Sequence, residues 1–236
     1  MRTQVLHEGL AAEVELDPHE LPAALIEHPL LVLRDLRLSP SEVAELAALF
    51  GRLDSFPEGV GLPECPQVVR LSNRSSQGRA AVPYWHTDGL LRSDPPRTTV
   101  FYAERVPERD GDTLFTNACD AFDALDEQDR ELLRGLVAVM ETGVRQPLVR
   151  RHPVTGREAL SVNLGRTVGI VGVTRDSARG LLVELSDHFD RPGGVYRHRY
   201  RPGDLLVWDD VAAAHSATDP VDPRFERSML RVDVGA

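Results

Sequence analysis

Apolar positions change their period along this chain, and the changes mark out its elements. Residues 30 to 36, LLVLRDL, form an apolar run of the buried-strand type, and the segment after it switches to helical spacing. In SPSEVAELAALFG, Val43, Leu46, Leu49 and Phe50 recur at helical intervals; Ser39 or Ser41 can cap this helix, Pro40 suits its first turn and Gly51 stops it. TTVFYAERV reads as a strand and PERDGD as the turn after it. The stretch from about Ala121 to Met140, with Phe122, Leu125, Leu132, Leu133 and Leu136, reads as a second helix. HPVTGREALSVN reads as a hairpin turned around Thr155 and Gly156, DSARGLLVELSDHF as a helix, and VYRHRY, DLLVWD and RSMLRVDV as short strands. Short strands buttressed by helices predict a mainly β fold with flanking helices, a double-stranded β-helix or jelly roll. With no repeat, low-complexity tract or linker, residues 1–236 read as a single domain.

Composition narrows the function classes. A net charge of -10 argues against a nucleic-acid or membrane-surface binder, because such binding rests on clustered Lys and Arg. No apolar run is long enough to cross a bilayer, and MRTQVLHEGLAAEVEL lacks the apolar core of a secretory signal, so a cytoplasmic location is expected. Cys65 and Cys119 lie outside any zinc-type spacing and read as ordinary thiols.

The candidate chemistry begins at YWHTDG. His86 and Asp88 are two residues apart, so on an extended backbone both side chains leave on one face. His215, in AAAHSATD, supplies a third donor, and two imidazoles with one carboxylate form a facial triad suited to Fe(II), leaving adjacent positions open. By strand periodicity RSMLRVDV puts Arg227, Met229 and Arg231 on one face. If that face is interior, a buried guanidinium requires an anion; the alternative is that the arginines point to solvent or pair with Asp233 or Glu226. Thr113 begins a strand after Gly111 and offers a hydroxyl to the same anion. Residues 72 to 83, SNRSSQGRAAVP, read as a mobile loop able to act as a lid. An imagined Ser161, His215 and Asp209 triad lacks the GxSxG elbow of a hydrolase.

Together these segments resemble the taurine dioxygenase (TauD/TfdA) family of Fe(II)/2-oxoglutarate oxygenases over nearly the whole chain. LVLRDLRLSPSEVAELAALFGRL, YWHTDGLLRSDPPRTTVFYAERVPERDGDTLFTN, HPVTGREALSVN, VYRHRYRPGDLLVWDDVAAAHSATD and RSMLRVDV stand in family order. The resemblance implies iron ligation by His86, Asp88 and His215. It implies 2-oxoglutarate binding by Thr113 and by Arg227, twelve residues after His215, with Arg231 touching co-substrate or substrate. Trp85 and Trp208 are expected to pack beside the metal strands. One departure stands out: where the family often has WDN followed by Arg, this chain has WDDV, with Asp210 and Val211 at those places.

The implied enzyme is a dioxygenase with Fe(II), 2-oxoglutarate and O2, hydroxylating an unactivated carbon of a small molecule and releasing succinate and CO2. Its intact HTD favours hydroxylation over halogenation; desaturation, epoxidation, cyclisation and a cupin-like metalloenzyme without 2-oxoglutarate are the alternatives. Arg74, Arg79, Arg92 and Arg166 are candidates for an anionic substrate. The expected partner is that small molecule, with no nucleic acid or membrane, and homo-oligomer formation is left open.

Overall fold

The computed structural model describes residues 1–57, 59–74, 82–218 and 221–235. The first part of the chain carries β1 (Thr3–His7), β2 (Ala11–Val14), α1 (Leu21–Glu27), β3 (Leu30–Leu33), α2 (Pro40–Ala47), β4 (Val69–Ser72) and β5 (Thr98–Arg105). Next come β6 (Thr113–Asn117), α3 (Ala118–Asp123), α4 (Glu127–Arg134), β7 (Val137–Met140), β8 (Arg145–Pro147), β9 (Val149–Arg151), β10 (Glu158–Leu160) and β11 (Thr167–Ile170). The last part holds α5 (Arg175–Phe189), β12 (Val195–His198), β13 (Leu205–Asp209), β14 (Ala213–Ala217) and β15 (Ser228–Val234).

Local chemistry accounts for the starts and stops. Ser39 caps α2 by accepting from the Glu42 N–H while Glu42 reaches back to the Ser39 N–H, and Pro40 occupies the first turn. Thr174 caps α5 in the same way through Ser177. The strand expected over residues 30 to 36 ends at Leu33, since Asp35 has a left-handed backbone (φ 57) and Leu36 turns to bond Gly203. The single helix expected from Ala121 to Met140 is not formed. Asp126 caps a fresh helix after α3, Gly135 ends α4, and the β-branched VAVM pairs with both β8 and β11.

The protein is mainly β with flanking helices. A large sheet runs β1-β2-β3-β13-β5-β15-β4, antiparallel except for the parallel β2–β3 pair, and faces a small sheet, β12-β6-β14. Central β13, LLVWD, is buried at every position because the sheet is covered on both faces. Each of its Leu and Val side chains contributes about 1.5–3 kcal/mol on burial. Between the sheets pack Phe101, Leu206, Trp208 and Met229 from the large one, with Phe115 and Ala213 from the small one. Outside the large sheet α1 and α2 cover Leu31, Leu33, Val207 and Val232. Beyond the small sheet α3 and α5 cover Trp85, Val162 and Ala214.

One further pairing positions the site. His86 and His215 exchange backbone hydrogen bonds (2.9 and 2.8 Å), while Thr87 donates to Val162 (2.8 Å) and Leu164 to Trp85 (3.1 Å). Segment 85–87 therefore lies as a narrow strand between β14 and residues 162–164. Its cross-strand neighbours put the side chains of His215, His86 and Asn163 in one row on one face.

Candidate metal and co-substrate site

His86 and His215 meet with ring centroids 4.1 Å apart, and Asp88 reaches both: Oδ1 lies 3.9 Å from His86 Nε2 and Oδ2 3.6 Å from His215 Nε2. One ligand atom from each of the three falls within 4.8 Å of the others. His86 Nδ1 stands 3.0 Å from the Tyr84 carbonyl, an acceptor only, so the proton sits on Nδ1 and Nε2 presents its lone pair. Asp88 Oδ2 and His215 Nδ1 are buried without a hydrogen-bond partner among the described residues. Convergent donors of this kind, two nitrogens and an acid with an orphaned oxygen, fit a divalent cation, and the set matches Fe(II).

Electrostatics leaves the donors in the form a metal requires. Burial, reinforced by His86, pushes His215 down to about 3, and burial lowers His86. Burial alone would raise Asp88, but Arg231 and the two imidazoles hold it well below the usual carboxylate range. At neutral pH the three are therefore two neutral imidazoles and a carboxylate.

The second cluster forms around Arg227. Its guanidinium is half-buried, its Nε has no hydrogen-bond partner, and no carboxylate among the described residues pairs with it. Glu226, the alternative partner beside it in sequence, binds Arg105 at 3.0 Å instead. Phe101 and Tyr200 hold the guanidinium carbon at 5.7 and 5.4 Å from their ring centroids. Gly111, at φ +73, lies so close that a Cβ there would stand 3.1 Å from Arg227 Cδ. Thr113, first residue of β6, sets its Oγ1 3.1 Å from the Tyr200 hydroxyl, so Thr113 and Arg227 meet at the same tyrosine. Rings connect this cluster to the triad: Phe101 packs on Trp208 (5.8 Å), and Trp208 packs on His215 (5.1 Å).

Arg231 has a different setting. Its Nη1 donates to Asp88 Oδ1 (3.1 Å) and its Nε to Asp233 Oδ1 (2.6 Å), so the pairing with Asp233 weighed from the sequence is the one found, and Asp88 is added to it. Asp210, in the place where the family often has Asn, accepts from Thr99 Oγ1 and Trp208 Nε1, both at 2.8 Å. Burial first and Asp88 second raise its carboxyl well above the ordinary value. Both tryptophans pack in the core as expected: Trp208 between the sheets, and Trp85 beyond the small sheet, where it packs on Phe189 and donates to Asp190.

Three of the four arginines considered for an anionic substrate are engaged elsewhere. Arg92 pairs with Asp54, Arg166 with Glu141 and Tyr84, and Arg74 donates to the Arg224 carbonyl. Arg79 and most of the loop at 72 to 83 lie outside the described residues. Sequence reasoning missed Tyr200, Asn163 and His152. Asn163 stands beside His86 with a buried, unpartnered Oδ1, and the fully enclosed His152 binds Asp209 at 2.9 Å. The only sequence signals were a Tyr in the alternating VYRHRY and the polar His and Asn bounding the HPVTGREALSVN hairpin.

Known proteins resemble this chain in sequence and in fold. The family description "Taurine catabolism dioxygenase TauD, TfdA family" matches residues 6–232. The alpha-ketoglutarate-dependent dioxygenase cnsM of Penicillium expansum is 32% identical over 248 residues, spanning 90% of this chain and 69% of that protein. The (S)-phenoxypropionate/alpha-ketoglutarate-dioxygenase of Sphingobium herbicidovorans is 28% identical over 241 residues, 89% of this chain and 83% of its own. A taurine dioxygenase structure from Burkholderia xenovorans superposes with a TM-score of 0.86 at 30% identity, covering 100% of this chain and 90% of that one. The structure of AAD-2 in complex with Mn(II) and N-oxalylglycine shares the fold, with a TM-score of 0.88 at 22% identity over 100% of this chain and 97% of that one. The chain belongs to the TauD, TfdA family and is an Fe(II)/2-oxoglutarate-dependent dioxygenase.

Proposed function

We propose that the protein hydroxylates an unactivated carbon of a small molecule, with His86, Asp88 and His215 holding Fe(II), and Thr113 and Arg227 holding the distal carboxylate of 2-oxoglutarate. When bound, the metal supplies oxygen activation coupled to decarboxylation of the co-substrate, with succinate and CO2 as products. The side chains provide the rest. Neutral His86 and His215 offer nitrogen lone pairs, and Asp88 offers the one negative charge of the triad. Arg231 donates to Asp88 through Nη1 while Asp233 balances its charge, which supports a role for Arg231 in steadying the metal ligand. Phe101, Trp208 and Phe115 wall the interior side of the site and exclude water from it.

The observation that carries this reading is Arg227: a half-buried cation joined to the three-donor cluster through Phe101 and Trp208, with two aromatic rings around it and no carboxylate partner among the described residues. Desolvation of that guanidinium is offset when a dicarboxylate arrives. The two facing sheets read as a double-stranded β-helix, residues 1–236 as one domain, and the buried free thiols of Cys65 and Cys119 agree with a cytoplasmic setting.

The test needs no knowledge of the substrate. Because oxygen activation is coupled to decarboxylation of the co-substrate, wild-type protein given Fe(II), 2-oxoglutarate and air is expected to release succinate slowly without it, and His215→Ala and Arg227→Ala are expected not to. Succinate release that persists undiminished in both variants contradicts the assignment.

A further inference from the structure

Tyr200 follows β12 and turns its ring into the core between the sheets, against Phe101 (centroids 6.3 Å) and edge-on to His198 (4.6 Å). Two of its contacts converge on the co-substrate site. Its hydroxyl lies 3.1 Å from Thr113 Oγ1, and its ring carries the Arg227 guanidinium 5.4 Å from the centroid. Two hydroxyls joined by one hydrogen bond spend one O–H on each other and keep one to donate outward. Whichever oxygen accepts, the pair offers a single O–H next to a guanidinium that has no anionic partner among the described residues. One carboxylate answers both: an oxygen for the guanidinium and an oxygen for the hydroxyl.

We propose that Tyr200 is a positioning residue for the distal carboxylate of 2-oxoglutarate, aiming the Thr113 hydroxyl and backing the Arg227 guanidinium; this rests on the reading of Arg227 given above. Without the phenol oxygen, the Thr113 hydroxyl proton is free to rotate among staggered positions, and fixing it again costs binding free energy. The ring itself is held in place from behind. His198, fully buried, sits between Tyr196 Oη (3.2 Å) and Asp204 Oδ2 (3.1 Å), and Asp204 pairs with Arg34 at 2.5 Å. The support is therefore rigid before the ligand arrives. Burial pushes the Tyr200 phenol up to about 12, so its proton is present across the working range of pH.

The experiment compares two ligands on the Fe(II)-loaded protein without oxygen, by calorimetric titration: 2-oxoglutarate, and 2-oxovalerate, which has the same keto-acid head and chain length but no second carboxylate. Tyr200→Phe keeps the ring and removes the hydroxyl. It is expected to weaken 2-oxoglutarate by about fivefold, the worth of one hydrogen bond, and to leave 2-oxovalerate unchanged. Tyr200→Leu, which also removes the ring under the guanidinium, is expected to weaken 2-oxoglutarate further, by about 30-fold, again without touching 2-oxovalerate. Arg227→Ala is expected to bind the two ligands alike. Tyr200→Phe with wild-type affinity, or with equal losses for both ligands, overturns the role of Tyr200 while an Arg227→Ala that loses the preference leaves the wider reading standing. Wild-type protein that does not prefer 2-oxoglutarate overturns both.

Discussion

Arg231 donates from Nη1 to Asp88 Oδ1 at 3.1 Å while its Nε is bound to Asp233 at 2.6 Å. A guanidinium held between two carboxylates in this way is charge-balanced and supports the metal ligand. Arg231→Met is accordingly expected to weaken Fe(II) binding by about 10–100-fold, the usual cost of losing a partner that orients a ligand. Its preference for 2-oxoglutarate over 2-oxovalerate is expected to survive. Metal competition with a chromophoric chelator measures the first and calorimetry the second; a normal metal affinity with a lost preference would move Arg231 to the co-substrate.

His152 and Asp209 form a further buried pair on which the site leans. His152 Nδ1 accepts from the N–H groups of Val154 and Thr155, so its Nε2 carries the proton donated to Asp209 Oδ2 at 2.9 Å. The second Asp209 oxygen accepts from the Val211 and Ala212 N–H groups and so fixes the turn into β14, where His215 lies. His152→Leu leaves that carboxylate buried with one partner missing, and is expected to cost about 3 kcal/mol of stability. Chemical denaturation checks this, and a loss under 1 kcal/mol, by the same principle, would mean the pair is dispensable.

Acid is expected to destabilise the metal-free protein in a defined window. Burial pushes His215 down to about 3, from an ordinary imidazole value of about 6.5, so the unfolded chain takes up the proton first as pH falls. Its contribution is complete above about 6.5 and is lost progressively down to about 3, at about 1.4 kcal/mol per pH unit. His86 is displaced in the same direction and steepens the slope. Thermal melts between pH 7.5 and 5 are expected to fall more steeply in wild type than in His215→Phe; equal slopes would remove His215 from the account.

Gly111 is the fourth test. At φ +73, any side chain is strained, and a Cβ would meet Val221 Cγ2 at 2.6 Å and Arg227 at 3.1 Å. Gly111→Ala is expected to lower stability by about 1–2 kcal/mol and, by displacing Arg227, to weaken 2-oxoglutarate more than 2-oxovalerate. A variant whose losses fall evenly on both ligands would separate Gly111 from the Arg227 site.

Much of this geometry was legible in the sequence because it depends on short-range rules. His86 and Asp88 share a face by the two-residue period of an extended chain, and Ser39 with Pro40 announces α2 through capping chemistry alone. What stayed hidden depends on contacts far apart in the chain. Nothing local says that segment 85–87 threads between β14 and residues 162–164, which is what brings Asn163 beside His86. Tyr200 sits in an alternating strand pattern that any half-buried tyrosine would satisfy, and its importance comes only from meeting Thr113 and Arg227. The misread helix from Ala121 to Met140 has a related cause: helical spacing of leucines persists across Asp126 and Gly135, two residues whose capping and stopping roles outweigh it.

The central claim is that a metal held by His86, Asp88 and His215 and a 2-oxoglutarate held by Arg227 share one site. Anaerobic titration of metal-free protein with Fe(II) and then 2-oxoglutarate tests it most directly, through the weak visible metal-to-ligand charge-transfer absorption that arises when the keto acid chelates the iron. The band is expected in wild type, absent in His215→Ala, and shifted to much higher 2-oxoglutarate concentration in Arg227→Ala. Iron binding without any band in the wild-type protein would contradict the shared site.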